Sequence, residues 1–116
     1  MAPLKQYGTQ LVKRAVISAA GTGNTTLVAA VTGHKIRVRS LVLVSGGTTN
    51  VTFQAGAGGT ALTGAIPLVA NTGFSSGIDD EGHFETASAA LLNINVSGAG
   101  VSVFGWLTYY EVPASA

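Results

Sequence analysis

A serine in the segment "GFSSG", residues 73–77, is the first place where this sequence could do covalent chemistry. The spacing matches the G-x-S-x-G nucleophile elbow, with Ser75 as nucleophile and Asp79, Asp80 and His83 following in hydrolase order. Such an elbow needs a helix directly after the serine, because the strand-to-helix turn aims backbone amides at the oxyanion. No helical pattern follows Ser75, and 116 residues are too few for that fold. We therefore expect a loop serine and no enzyme.

The segment "DDEGHFE", residues 79–85, concentrates the side chains that could bind a hard cation through oxygen. Its spacing fits no calcium loop, because its single glycine is at position 82 and no terminal bidentate glutamate follows. We interpret the segment as a solvated acidic turn, and we predict no metal and no cofactor. The residues concerned are Asp79, Asp80, Glu81, His83 and Glu85.

Basic side chains alternate along "HKIRVRSLVLVS", residues 34–45, where Lys35, Arg37 and Arg39 point the same way. This stripe could meet phosphates, but the net charge is only +1 and no aromatic residues are interleaved with it. Nucleic acid is therefore an unlikely partner. The glycine-rich "GTGNTT", residues 21–26, has no lysine and no following helix, so it predicts a hairpin turn and not a phosphate loop.

Charge is scarce and segregated. Only 9% of residues are charged, against an average of about 25%, which favours a surface that is covered by copies of the chain or by a partner. All basic residues precede residue 40 and all acidic residues follow residue 78. Two explanations of this segregation stay open. It could arise by chance in a chain with few charges, helped by the order of the strands, or it could give the molecule a basic end and an acidic end that dock in one orientation.

The elements that must position these side chains all read as strands. β-Branched residues and turn signals recur every 8–12 residues, which predicts an all-β fold: an antiparallel β-sandwich, jelly-roll-like, with about eight short strands. Residues 1–11 are interpreted as an N-terminal arm, 12–112 as the sandwich domain and 113–116 as a tail. The strands are predicted at 13–19, 25–31, 34–45, 50–55, 65–70, 83–87, 90–97 and 101–112.

The chain contains no cysteine, no secretory signal pattern and no apolar run long enough for a membrane helix, so we expect a soluble protein that is not associated with membranes.

Two of the predicted strands are apolar on both faces. Residues 41–44, "LVLV", have no polar side. In the last strand Phe104, Trp106 and Tyr110 share one face, and the other face is apolar too. We expect one face in the core and the other under a partner.

Three stretches carry a resemblance to a known family: "TTLVAAVTGHKIRVRSLVLVSGGTTNVTFQAGAGGTALTG", "GHFETASAALLNINVSG" and "GWLTYYEV". Over roughly residues 17–112 the chain resembles the small β-rich virion proteins of tailed bacteriophages, which include cement or head-decoration proteins. The resemblance implies a dimer or trimer that binds the major capsid protein on the capsid exterior, after assembly in the host cytoplasm. It brings no catalytic residues. Tail-fibre and receptor- or glycan-binding modules are the alternative.

The predicted contact residues combine apolar anchors of the arm, the basic side chains and the two-faced strands. An exposed Trp106 in a groove would favour glycan binding, whereas Trp106 in a core or a protein interface would favour a cement protein. The predicted set is Leu4, Lys5, Tyr7, Leu11, Lys13, Arg14, Lys35, Arg37, Arg39, Leu41, Leu43, Trp106 and Tyr109.

Overall fold

The structure, a computed structural model, describes residues 11–79 and 81–114. Within these ranges the regular elements are all strands, and no helix is long and apolar enough to cross a membrane. The strands are β1 (Lys13–Ala20), β2 (Gly23–Val28), β3 (His34–Ser45), β4 (Thr49–Ala55), β5 (Thr60–Ala61), β6 (Ile66–Leu68), β7 (Gly73–Ser75), β8 (Phe84–Glu85), β9 (Leu92–Val96) and β10 (Ser102–Pro113).

The strands form two five-stranded antiparallel sheets whose pairing is nested along the chain. Sheet A has the order β1-β10-β3-β7, with β8 also on β3, and sheet B has the order β2-β9-β4-β5, with β6 also on β4. The first strand thus pairs with the last and the second with the last but one. A long hairpin wound in this way into two sheets is a jelly roll. The predicted all-β sandwich is confirmed.

The core lies between the sheets and is made almost entirely of aliphatic side chains. Strands β3 and β10 contribute the largest share from sheet A, and β4 and β9 from sheet B. Phe53 and Phe84 close one region of it with ring centroids 5.3 Å apart. Its least exposed large side chains include Ile17, Ile36, Val38, Leu43, Val51, Phe53, Leu92, Ile94, Val96, Val103 and Leu107.

A β-bulge in β3 decides which of its side chains enter the core. Thr108 of β10 pairs with Ser40, while the next residue, Tyr109, pairs with Val38, so Arg39 is an extra residue on β3. Because successive side chains in a strand alternate between faces, one extra residue reverses the alternation beyond it. Ile36 and Val38 point inward before the bulge, and Leu41 and Leu43 point inward after it.

Strand β7 lies where the sequence predicted a loop. It pairs with β3 over three residues, with Gly73 opposite Val44. A Cβ at Gly73 would overlap the backbone carbonyl oxygen of Leu43, so the close pairing needs a glycine. Pro67 lies in the three-residue strand β6, which pairs with β4 in sheet B.

Candidate interaction surface

The outer face of sheet A carries an exposed apolar cluster, which we call the outer patch: Val16, Val42, Val44, Phe104 and Trp106. Its side chains lie in two rows across neighbouring strands. In one row Val16 pairs with Trp106, which pairs with Val42, and in the other Phe104 pairs with Val44. Val16 is 72% exposed, Phe104 50% and Val44 46%. Contiguous apolar side chains on a sheet face that no described element covers are typical of a docking surface.

Arginine side chains lie over the aromatic rings at one end of this face. The guanidinium carbon of Arg14 is 4.9 Å from the centroid of the Trp106 ring, and that of Arg39 is 5.8 Å from the Tyr110 ring. A cation over an aromatic face is attracted by the ring quadrupole, and the stacking orders the long arginine side chain. One face of Trp106 is therefore already occupied within the protomer.

Three of the basic side chains form ion pairs with two acids that are distant in sequence. Lys13 Nζ lies 2.9 Å from Glu111 Oε1. Lys35 Nζ and Arg37 Nε lie 3.3 Å and 2.8 Å from the two oxygens of Glu85. The antiparallel register brings the first third of the chain beside the last third, so five charges that are segregated in sequence form three ion pairs in space.

These ion pairs shift the pKa of their members. Partial burial raises the pKa of the Glu85 carboxyl, but the hydrogen bonds and charges of Arg37 and Lys35 outweigh burial, so the pKa lies below its usual value. The hydrogen bond to Glu111 raises the pKa of the Lys13 ammonium. Both shifts favour the charged forms that make the pairs.

Three of the predicted contact residues are core residues. Leu41 and Leu43 are 3% and 0% exposed, and Tyr109 is 9% exposed. An unbulged strand would put Leu41 and Leu43 on the face of Arg37, but the extra residue at Arg39 turns them inward. The structure thus places these three side chains inside the sandwich.

The remaining predicted residues divide into two groups. Leu4, Lys5 and Tyr7 lie outside the described residues, so their proposed anchoring role stays a prediction. Leu11 is 72% exposed at the start of the described chain, and Trp106 is half-buried on the outer face of sheet A.

The segment after β7 runs beside β3 and contains most of the hydrolase-like and acidic motifs; Asp80, which belongs to both, lies outside the described residues. His83 is engaged through Nε2, 2.7 Å from the carbonyl oxygen of Gly77, and Ser76 Oγ accepts a bond from the Leu41 amide. Ser75 ends the short strand β7 and no helix follows it. Among the described residues no group of three or more His, Asp or Glu side chains is placed to hold a metal ion.

The outer face of sheet B is polar and bonded to itself. Asn93 Nδ2 donates to Asn24 Oδ1 and to Gln54 Oε1, at 3.1 Å and 2.8 Å. Asn95 Nδ2 donates to the same Asn24 oxygen at 2.8 Å. This amide cluster contrasts with the outer patch, so the two faces of the sandwich offer a partner very different chemistry.

Sequence reasoning missed Val16, Val42 and Val44 as surface residues. The signal for Val16 was available, because it alternates with the core residue Ile17 in β1. Val42 and Val44 could not be assigned to a face, because all four residues of 41–44 are apolar and the bulge leaves no mark in the pattern.

No protein-family model matches the sequence, and no curated protein matches it. Among solved structures, the chain is similar to a chain of "Cyanophage Pam1 capsid asymmetric unit", with 22% identity and a TM-score of 0.47. The match covers 95% of this chain and 91% of that one. No functional residue is carried over at this level of similarity.

Proposed function

We propose that this protein is a structural component of a bacteriophage virion that binds the outer surface of the capsid and stabilises the lattice. The observation that carries the proposal is the outer patch, an exposed apolar surface on an otherwise complete jelly roll. The family resemblance of residues 17–112 supports it, and so does the scarcity of charge. Such a surface needs a protein neighbour that removes it from water.

The proposal includes the absence of enzymatic activity. The ring of His83 is engaged with a backbone carbonyl, and Ser75 lies at the end of a three-residue strand that lacks the elbow. Neither arrangement activates a nucleophile.

A glycan-binding module is the alternative, and the surroundings of Trp106 favour it less. Sugar recognition by a surface tryptophan uses the open face of the ring, but the Arg14 guanidinium lies over the Trp106 ring. The rest of the outer patch offers valine and phenylalanine side chains and few hydrogen-bonding groups. Its chemistry suits a protein surface better than a sugar.

Co-sedimentation with particles of the phage that encodes this protein tests the proposal. Phe104→Asp places a carboxylate in the outer patch at a half-exposed position, so it should retain the fold and lose capsid binding at least tenfold. Thr26→Asp, on the exposed outer face of sheet B, is the matched control and should bind as the wild type does. Undiminished binding by a folded Phe104→Asp variant would contradict the proposal, and binding to host-surface glycans but not to capsids would favour the alternative.

A further inference from the structure

Arg14 is an exposed cation that takes part in none of the ion pairs formed among the described residues. Lys13, Lys35 and Arg37, by contrast, each lie within 3.3 Å of a glutamate oxygen. If one of these paired cations turned to a binding partner, its glutamate would lose a charged hydrogen bond. Arg14 can bind an external acid without that cost.

The strand register places Arg14 at one side of the outer patch. It precedes Val16 by two residues on the same face of β1, and its guanidinium carbon lies 4.9 Å from the centroid of the Trp106 ring. Residues 40–78 and 86–110, which include the other strand segments of the patch, contain no Lys, Arg, Asp or Glu. The patch is therefore an uncharged apolar surface with a cation on one side.

A partner that covers Trp106 must also contact Arg14. The guanidinium lies over the indole ring, so a surface that removes the ring from water removes much of the guanidinium from water too. A charge taken out of water without a partner of opposite charge is costly. The residues of the outer patch carry no carboxylate, so the compensating charge must come from the partner.

We propose that the outer patch takes a protein surface whose apolar centre is flanked, on the side of Arg14, by a carboxylate. The inference rests on the proposed function and names the chemistry of the surface that the patch binds. A carboxylate accepts two parallel hydrogen bonds from a guanidinium, and stacking on Trp106 orders the guanidinium beforehand, so less side-chain entropy is lost on binding. Because Arg14 lies on one side of the patch, a partner turned end for end would lose the ion pair. Arg14 thus sets the direction in which the strands lie on the partner.

Co-sedimentation with phage particles over a series of salt concentrations tests the inference. Arg14→Gln should bind at least about tenfold more weakly than the wild type at low salt, and its affinity should change less as the salt concentration rises. Lys13→Gln is the matched control, because it removes the same charge from the adjacent residue, whose ammonium is bonded to Glu111. Its affinity and salt dependence should be those of the wild type.

A third variant locates the acid on the partner. Arg14→Lys keeps the charge and provides an amine that a carbodiimide couples to a carboxylate in direct contact. Treated together with particles, this variant should give a cross-link from position 14 to an aspartate or glutamate of the capsid, mapped by mass spectrometry. Binding without any such cross-link would count against the ion pair.

Circular dichroism and thermal unfolding show whether each variant is folded. Two outcomes overturn the inference and leave the proposed function intact, provided that Phe104→Asp still loses binding. One is an Arg14→Gln variant with the affinity and salt dependence of the wild type, and the other is an equal loss for Arg14→Gln and Lys13→Gln. Undiminished binding by a folded Phe104→Asp variant overturns both the proposed function and the inference.

Discussion

Replacing Leu43 by alanine should destabilise the protein severely, whereas replacing its neighbour Val44 should hardly matter. Leu43 is fully buried and pairs with Gly105 on one side and Phe74 on the other. Leucine-to-alanine changes in cores cost about 2–5 kcal/mol, and the cost rises with the cavity that remains. Gly105 has no side chain that could move into the space, so we expect the upper half of that range, about 3–5 kcal/mol.

The matched change, Val44→Ala, removes two methyl groups from a side chain that is 46% exposed. About half of that apolar surface already contacts water, so its removal should cost less than about 1 kcal/mol. The pair of variants tests the bulge at Arg39, because an unbulged strand would exchange the faces of these two residues.

Urea unfolding measures both effects, with far-UV circular dichroism as the signal and the fluorescence of Trp106, the single tryptophan, as a second probe. The free energy of unfolding should fall for Leu43→Ala with an unchanged m-value. Comparable losses for the two variants, or a loss below about 1 kcal/mol for Leu43→Ala, would refute the register described for β3.

Two further variants probe the backbone and the ion pairs. Gly105→Ala should lower the free energy of unfolding in urea by about 1–3 kcal/mol, because φ is +154° and a Cβ there would overlap the Val42 carbonyl oxygen. The control Gly64→Ala should be neutral, since the space around its Cβ is open. Equal stability of the two variants would contradict this expectation. Glu85→Gln should lose about 0.5–1 kcal/mol at neutral pH. Since the carboxyl pKa is lowered in the folded state, that contribution is present above about pH 4.5 and fades as the pH falls further. A gap between wild type and Glu85→Gln that is constant with pH would contradict it.

The strand pattern of this fold could be predicted from the sequence, because turn signals separate short β-branched runs. The bounds of β3 agree with the prediction at both ends. Strands as short as β5 and β7 give too few residues for any periodicity. Strand β7 forms because it can pair with the edge of β3. This pairing depends on the tertiary fold and not on the sequence of the segment itself.

The sequence predicted that an apolar docking surface exists, but not which residues form it. Apolar residues on both faces of residues 41–44 indicated a covered second face, but only the bulge decides that Val42 and Val44 form it. The pairing of Lys35 and Arg37 with Glu85 could not be predicted either, because it depends on which strands become neighbours.

The nested pairing of the strands determines when this protein can fold during its synthesis. Strand β10 lies between β1 and β3 and pairs with both, yet it is the last of the described strands to leave the ribosome. Until it emerges, β1 has no partner in sheet A, and the apolar segment of β3 is exposed to every other nascent chain nearby. Pairings between residues this far apart in sequence also form slowly. The jelly roll therefore closes only after β10 has emerged, and the interval before closure is when the chain is most prone to aggregate.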